Sequence, residues 1–233
     1  TSKRTITLAN WNLQIFGDAK ASKSNLMEFY LKAIKQFDVL FLQEIRDIDG
    51  SSFNLLCAQL ADYNCHISSR AGTTSSKEQY GIVVHKNITV TETIDFNPQY
   101  QNIFERPPIQ VTFQIENYSF SVYNIHIDPD YVQEELEALE QIIATTGNII
   151  LAGDLNADCS YYNPEHELEF DAWNWIINDE QDTTVAATNC AYDRFIVNNE
   201  AFSEIQSHGI LKEGISKEVS DHYLIWLEII TQD

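Results

Sequence analysis

Apolar and polar residues alternate along Ile6-Thr7-Leu8-Ala9-Asn10-Trp11, the two-residue period of a strand. From Asn25 to Gln36, apolar Leu26, Phe29, Tyr30, Ala33 and Ile34 recur at helical spacing, with Phe37 just beyond. Val39-Leu40-Phe41-Leu42 is continuously apolar, which predicts a strand buried on both faces. Leu55–Leu60 reads as a helix, and Tyr80–His85, Ile109–Ile115 and Tyr118–Ile127 read as strands. An amphipathic helix is predicted over Glu134–Ala144, a buried strand over Asn148–Ala152 and a closing strand over Tyr223–Ile230. Helices and strands mix at both hairpin and crossover spacings, which predicts a layered α/β fold with two sheets between helices. No repeat, low-complexity tract or Pro/Gly-rich linker divides the chain, so one domain over residues 1–233 is expected.

Composition changes this picture in two ways. At 233 residues and 44% hydrophobic content, the chain has enough apolar material for one sizeable core. Asp and Glu number 35 against 14 Lys and Arg, a formal charge of −21. Affinity for nucleic acid comes largely from cationic side chains on phosphates, so composition alone argues against passive DNA binding. Bound divalent cations, or adaptation to high salt, would reconcile such acidity with an anionic substrate. No run of about 18 apolar residues is present, so no membrane span is expected. Thr1-Ser2-Lys3-Arg4 lacks the apolar core of a secretion signal. Four cysteines, Cys57, Cys65, Cys159 and Cys190, allow three disulfide pairings, or four buried thiols; the arithmetic favours disulfides and an oxidising compartment.

The candidate chemistry gathers after the apolar strands. Asn12 follows the first and Gln43-Glu44 the second. Asn124 and His126 lie at the end of a later one. Gly153-Asp154-Leu155-Asn156 follows the run ending at Ala152, and Ser220-Asp221-His222 precedes the last strand. Strand ends in α/β folds open into a common crevice. Such a crevice would hold Asn12, Glu44, His126, Asp154, Asn156, Asp221 and His222. Its oxygen donors suit Mg²⁺, Mn²⁺ or Ca²⁺ better than zinc. Two histidines among carboxylates suit proton transfer near neutral pH. Phosphodiester hydrolysis needs both: charge neutralisation on the phosphoryl group, a base for water and an acid for the leaving oxygen.

At these residues the sequence resembles the endonuclease/exonuclease/phosphatase superfamily. The longer segments Gln43-Glu44-Ile45-Arg46-Asp47, Gly153 to Tyr161 and Thr188 to Arg194 resemble its deoxyribonuclease I branch. The resemblance runs from about Thr5 to Ile229. It implies a four-layer αββα sandwich with two mainly antiparallel central sheets. It also implies a secreted, divalent-metal-dependent endonuclease of little sequence specificity, which cuts double-stranded DNA to leave 5′-phosphate ends. Glu44 would be the principal ligand of Mg²⁺ or Mn²⁺, helped by Asn12, with Asp154, Asn156 and Asp221 completing the pocket. His126 would pair with Glu78 and His222 with Asp193, one imidazole serving as base and the other as acid. Arg46, Arg106 and Tyr192 would contact DNA. Cys159–Cys190 would be a structural disulfide, leaving Cys57–Cys65 as a local bridge. Asp182, Thr184 and Thr188 would form a structural Ca²⁺ loop. The protein would act as a monomer without a membrane; actin binding is left open.

Departures from the pattern point to a looser grip on DNA. Gln14 stands where the family has an arginine, and Ser76 where it has a groove-binding tyrosine. Near the family's second Ca²⁺ loop only Asp95 and Asn102 remain, with Pro107 at an acidic position. Salt tolerance is the expectation, because fewer basic contacts mean a shallower salt dependence. Simpler roles suffice for other residues. Trp173 and Trp175 read as core in a helical stretch. Glu134, Glu135, Glu137 and Glu140 read as a solvated helix face, and His66, His85, His166 and His208 as structural or exposed. Asn87-Ile88-Thr89 and Asn117-Tyr118-Ser119 are glycosylation sequons only in a suitable host. Competing functions are a same-fold phosphoesterase on abasic DNA or another phosphoester, and a non-catalytic DNA-binding relative.

Overall fold

A computed structural model describes residues 3–163 and 168–231; His166 lies outside them. Two six-stranded sheets form the centre. The first contains β1 (Thr5–Phe16), β2 (Val39–Ile45), β3 (Tyr63–Ile67), β4 (Gln79–His85), β11 (Ile205–Leu211) and β12 (Leu224–Ile230), in the order β11-β12-β1-β2-β4-β3. The second contains β5 (Thr89–Asp95), β6 (Ile109–Ile115), β7 (Tyr118–His126), β8 (Ile149–Asp154), β9 (Asn174–Trp175) and β10 (Asp193–Val197), in the order β5-β6-β7-β8-β10-β9. Each sheet has one parallel pair at its centre, β1/β2 and β7/β8, and the remaining pairs are antiparallel. The parallel pairs follow from the crossover helices, α1 (Asp18–Ala21) and α2 (Ser24–Ile34) in one half and α5 (Val132–Ile142) in the other. Three short helices, α3 (Ser51–Cys57), α4 (Asn97–Tyr100) and α6 (Asn199–Phe202), complete the set among the described residues. None of the helices is long and apolar enough to cross a membrane.

Three apolar clusters correspond to the three spaces of an αββα sandwich. Leu26, Tyr30 and Ile34 of α2 and Phe53 and Leu56 of α3 pack on Trp11, Leu40 and Leu42 of the first sheet. Leu136 and Leu139 of α5 pack on Tyr123, Ile125 and Leu151 of the second. Between the sheets lie Leu8, Phe41, Ile82, Val122, Ile150 and Phe195. The expected sandwich and its mainly antiparallel sheets are therefore present.

Several local expectations are corrected. The helix read over Leu55–Leu60 spans Ser51–Cys57. It starts earlier because Asp49 Oδ1 accepts the Ser51 N–H and Asp47 Oδ2 the Ser52 N–H, satisfying donors that a first helical turn leaves open. Trp173 and Trp175 are not helical: Trp173 is in a turn and Trp175 in β9, both packed against the α5 cluster. The polar motifs thought to follow strands lie largely within them, since β1 runs through Asn12, β2 through Glu44 and β8 through Asp154. Both local and long-range disulfides are formed, Cys57–Cys65 and Cys159–Cys190. The second spans 31 residues, a loop length worth roughly 3–4 kcal/mol in the chain-entropy model.

Glu135 departs from the solvated face expected of it. Glu134, Glu137 and Glu140 are exposed, but Glu135 is 2% exposed, because it shares the buried stripe of α5 with Val132, Leu136 and Leu139. Its carboxylate accepts the backbone N–H groups of Glu105 (2.8 Å) and Asp128 (3.4 Å). Burial pushes its pKa up to about 7. A carboxyl whose pKa is raised in the fold stabilises the fold when protonated, and that contribution is lost as pH rises from about 4.5 to about 7. Glu135→Gln should flatten this dependence. Unfolding free energies from urea denaturation at pH 5 and pH 8 should differ less in the variant than in the parent, by an amount on the order of 2–3 kcal/mol. Identical pH dependence in the two proteins would show that Glu135 titrates normally.

Candidate active site

The inner faces of the strands change character at one end of the sandwich. Along β1 the inward side chains run Ile6, Leu8, Asn10, Asn12; along β2, Val39, Phe41, Gln43. Along β7 they run Phe120, Val122, Asn124, His126; along β8, Ile150, Ala152, Asp154; along β10, Val197, Phe195, Asp193. Glu78, just before β4, continues its column of Val84, Ile82 and Tyr80. A strand's period of two therefore carries an apolar core at one end and titratable groups at the other.

Glu44 reaches this crevice by breaking the alternation. Leu40 and Leu42 face the helices, and a regular strand would turn Glu44 the same way. Its φ of 60° prevents that, and the β2 register shifts there against both neighbours. The facing end of β1 has Gln14 at φ 49° and Ile15 at φ 54°. Their N–H groups then donate to Asn12 Oδ1 and Glu44 Oε2, both at 2.8 Å. Left-handed non-glycine residues cost about 1–3 kcal/mol each and cluster at functional sites.

Asp154 is the centre of the crevice. Its Oδ2 accepts from Asn12 Nδ2 at 2.9 Å and lies 3.3 Å from His126 Nε2 and 3.4 Å from His222 Nε2. Each imidazole is backed by a carboxylate: His126 Nδ1 lies 2.8 Å from Glu78 Oε1, and His222 Nδ1 lies 2.8 Å from Asp193 Oδ2. Burial disfavours charge on both rings, and Arg106 adds to that for His126, but Glu78 and Asp154 together outweigh them for His126, as Asp193 and Asp154 do for His222, so both pKa values are raised, that of His222 strongly. Burial likewise opposes charge on Asp154, yet His222 and His126 hold it ionised. Burial raises the Asp221 carboxyl, which faces Glu44 and Asp154. Asn156, with φ 50°, donates to the Ile127 carbonyl at 2.9 Å.

The set gathered from the sequence thus converges: Asn12, Glu44, Glu78, His126, Asp154, Asn156, Asp193, Asp221 and His222 surround one crevice. Arg46 sits beside it, 3.3 Å from Glu44 Oε2, with its Nε buried and unpartnered. Arg106 is placed differently from a surface phosphate contact. It is largely buried, 2.8 Å from Glu78 Oε1, and donates to the His126 carbonyl at 2.9 Å, bracing the Glu78–His126 pair. Tyr192 packs against Tyr161, ring centres 5.3 Å apart. Asp182, Thr184 and Thr188 form one loop behind His222. Asp182 Oδ1 accepts from the backbone N–H and the hydroxyl of Thr184, and that hydroxyl also reaches the Thr188 carbonyl. Thr184 bridges His222, and Asp193 N–H donates to Thr183 Oγ1, so this loop braces the His222–Asp193 pair.

Other side chains support the site from beneath. Trp11 Nε1 donates to the His222 carbonyl, and Ser220 Oγ to the Asn12 carbonyl. Lys20 Nζ ties the Leu13 and Val219 carbonyls together, and burial lowers its pKa to about 8. Trp11 and Lys20 carry no pattern that singles them out, because their partners are distant backbone carbonyls.

The donor set fits a hard divalent cation. Glu44, Glu78 and His126 offer ligand atoms within 4.8 Å of one another, as do Asp154, Asp193 and His222. Buried oxygens of Glu78, Asp193 and Asp221 have no hydrogen-bond partner, the condition in which a carboxylate still seeks a cation or water.

Comparison with known proteins agrees with this geometry. The model of the endonuclease/exonuclease/phosphatase family matches residues 9–222. Deoxyribonuclease-1 of Gallus gallus is 31% identical over 231 residues, covering 88% of this chain and 81% of the relative. Deoxyribonuclease gamma of Homo sapiens is 28% identical over 266 residues, covering 95% and 85%. In three dimensions, the D. rerio TDP2 structure complexed with a single-strand DNA product superposes with a TM-score of 0.73 at 14% identity, over 97% of this chain and 99% of that one.

Proposed function

Because the chain belongs to the endonuclease/exonuclease/phosphatase family, we propose that it is a secreted endonuclease. It hydrolyses phosphodiester bonds of double-stranded DNA with little sequence specificity and leaves 5′-phosphate ends. The observation that carries this reading is the single Asp154 oxygen facing two carboxylate-backed imidazoles across one pocket. With Nδ1–H donated to Glu78 or Asp193, each ring presents Nε2 to that pocket. One imidazole takes a proton from the attacking water as its oxygen bonds to phosphorus. The other gives a proton to the departing 3′ oxygen as the P–O bond breaks. Asn12 and Asn156 hold the carboxylates and loops around the phosphoryl group in place. A divalent cation, Mg²⁺ or Mn²⁺, held by Glu44 with Asn12 and Asp221, supplies charge neutralisation on the phosphoryl oxygens when bound.

The remaining roles follow the same reading. Asp182, Thr184 and Thr188 hold a structural Ca²⁺. Arg46 and Tyr192 contact the DNA backbone, with Arg106 acting from beneath. Two disulfides support secretion. The domain works as a monomer over residues 1–233. A charge of −21, with Gln14 and Ser76 where the family has an arginine and a tyrosine, supports a loose, salt-tolerant grip.

Supercoiled plasmid, an abasic oligonucleotide and inositol phosphates, each incubated with the protein and Mg²⁺, test the reading. Plasmid should be nicked and then degraded, and its cleavage should persist into seawater-like salt. Intact plasmid alongside cleavage of either other substrate would reassign the activity to another phosphoester. Collapse of the rate between low and seawater-like salt would remove the salt-tolerant part alone.

A further inference from the structure

Beneath the catalytic groups lies a second polar layer that the proposed chemistry does not touch. Asn10, Gln43 and Asn124 are each 0% exposed, and their amides form a closed ring. Gln43 Nε2 donates to Asn10 Oδ1 at 2.6 Å and to Asn124 Oδ1 at 2.8 Å. Asn124 Nδ2 donates to Asn10 Oδ1 at 2.8 Å and to the Ala152 carbonyl at 2.9 Å. Asn10 Nδ2 returns to Gln43 Oε1 at 3.2 Å. Every polar atom of the three side chains has a partner.

The ring joins the two halves of the sandwich. Asn10 and Gln43 belong to the first sheet, while Asn124 and the Ala152 carbonyl belong to the second. Below it, Leu8, Phe41, Val122 and Ile150 meet as hydrocarbon. Apolar contact is non-directional and permits two sheets to settle at several lateral offsets. Hydrogen bonds between planar amides do not. Each member is also one strand step from the chemistry. Asn10 precedes Asn12, Asn124 precedes His126 and Ala152 precedes Asp154 by two residues on the same face, and Gln43 adjoins Glu44.

We propose that Asn10, Gln43 and Asn124 are positioning residues that set the separation between the Glu44–Asn12 half of the active site and the His126–Asp154 half. The inference rests on the phosphodiesterase reading above. It assigns the amide ring a role in the chemical step and in cation affinity beyond its share of fold stability. A misplacement of about 1 Å in such a site can cost about 10²-fold in rate. Replacing all members of a hydrogen-bonded set with apolar groups of like shape is, by contrast, close to neutral for stability.

The test is the variant Asn10→Leu/Gln43→Met/Asn124→Leu. Its melting temperature should stay near that of the parent. Its kcat on plasmid DNA should fall at least about tenfold with KM changed less than about threefold, and Mg²⁺ affinity by calorimetry should weaken. A folded triple variant with parental kcat and Mg²⁺ affinity overturns the proposal. If the triple variant does not fold, Asn10→Ala, which leaves the Gln43–Asn124 and Asn124–Ala152 bonds, should show the same split, and parental kcat there is equally fatal. In the parent, the side-chain amide protons of Gln43 and Asn124 should exchange with solvent far more slowly than those of exposed amides; equal rates would mean that the ring is not locked. A parent that does not cleave DNA would instead refute the functional reading.

Discussion

His222→Asn is expected to lower kcat on DNA by about 10³-fold, within the range of 10²–10⁴ for loss of a general acid or base, with little change in KM. Asparagine places an amide near the former Nδ1 position, so it can still donate to the fully buried Asp193. It has no group that exchanges a proton near neutral pH. A shorter residue would strand Asp193, whose other oxygen is already without a partner, and an unpaired buried charge costs several kcal/mol. The choice of Asn thus separates chemistry from folding. Steady-state cleavage kinetics together with a circular dichroism melt decide the matter. A folded variant within tenfold of the parental rate would place the proton transfers on other groups, and the two-imidazole reading would fall with it.

Gly153→Ala should abolish both activity and much of the stability. Gly153 is the penultimate residue of β8, paired with Ile125 of β7 on one side and Arg194 of β10 on the other. Its φ is +158°, and a Cβ there would sit 1.8 Å from the Ile125 carbonyl oxygen. Backbone, not a flexible side chain, stands in the way, and relief requires β7 and β8 to part. Those strands align His126 with Asp154, so the separation that relieves the clash also dismantles the site. The cost should reach at least about 3 kcal/mol, the upper end for overpacking that a core can still absorb. Gly147→Ala is the control, since it too has positive φ (+86°) but meets nothing within 4 Å, and should cost only about 1–2 kcal/mol of backbone strain. Urea denaturation of the pair measures the difference; equal stabilities would show that β7 and β8 yield freely.

Much of the architecture was legible because burial dictates period. Continuous apolar runs at Val39–Leu42 and Ile149–Ala152 marked the central strands, and three-four spacing marked α2 and α5. The edge strands β5 and β11 were missed, since strands such as Thr89–Asp95 bury no side chain fully and leave a weak pattern. The strand β10 was missed for the opposite reason: its five residues, Asp193–Val197, are all buried but include Asp and Arg. Arg194 is tolerated there because it donates to the Ile177 and Ala157 carbonyls, meets Asp179 at 2.7 Å and lies over the Trp175 ring, partners that only the fold supplies.

The sequence by itself picked out the residues that gather in the crevice and the family to which the chain belongs, because polar groups at the ends of buried strands and their flanking motifs are local features. Tertiary structure alone decided how those residues are placed. Glu44 enters the crevice through a left-handed backbone that no alternation predicts, and Arg106 turns inward to Glu78 rather than outward. The amides of Asn10, Gln43 and Asn124 find one another across two sheets, 33 to 114 residues apart in sequence. Distances of that kind are set by how the sheets stack, and a linear pattern carries no record of stacking.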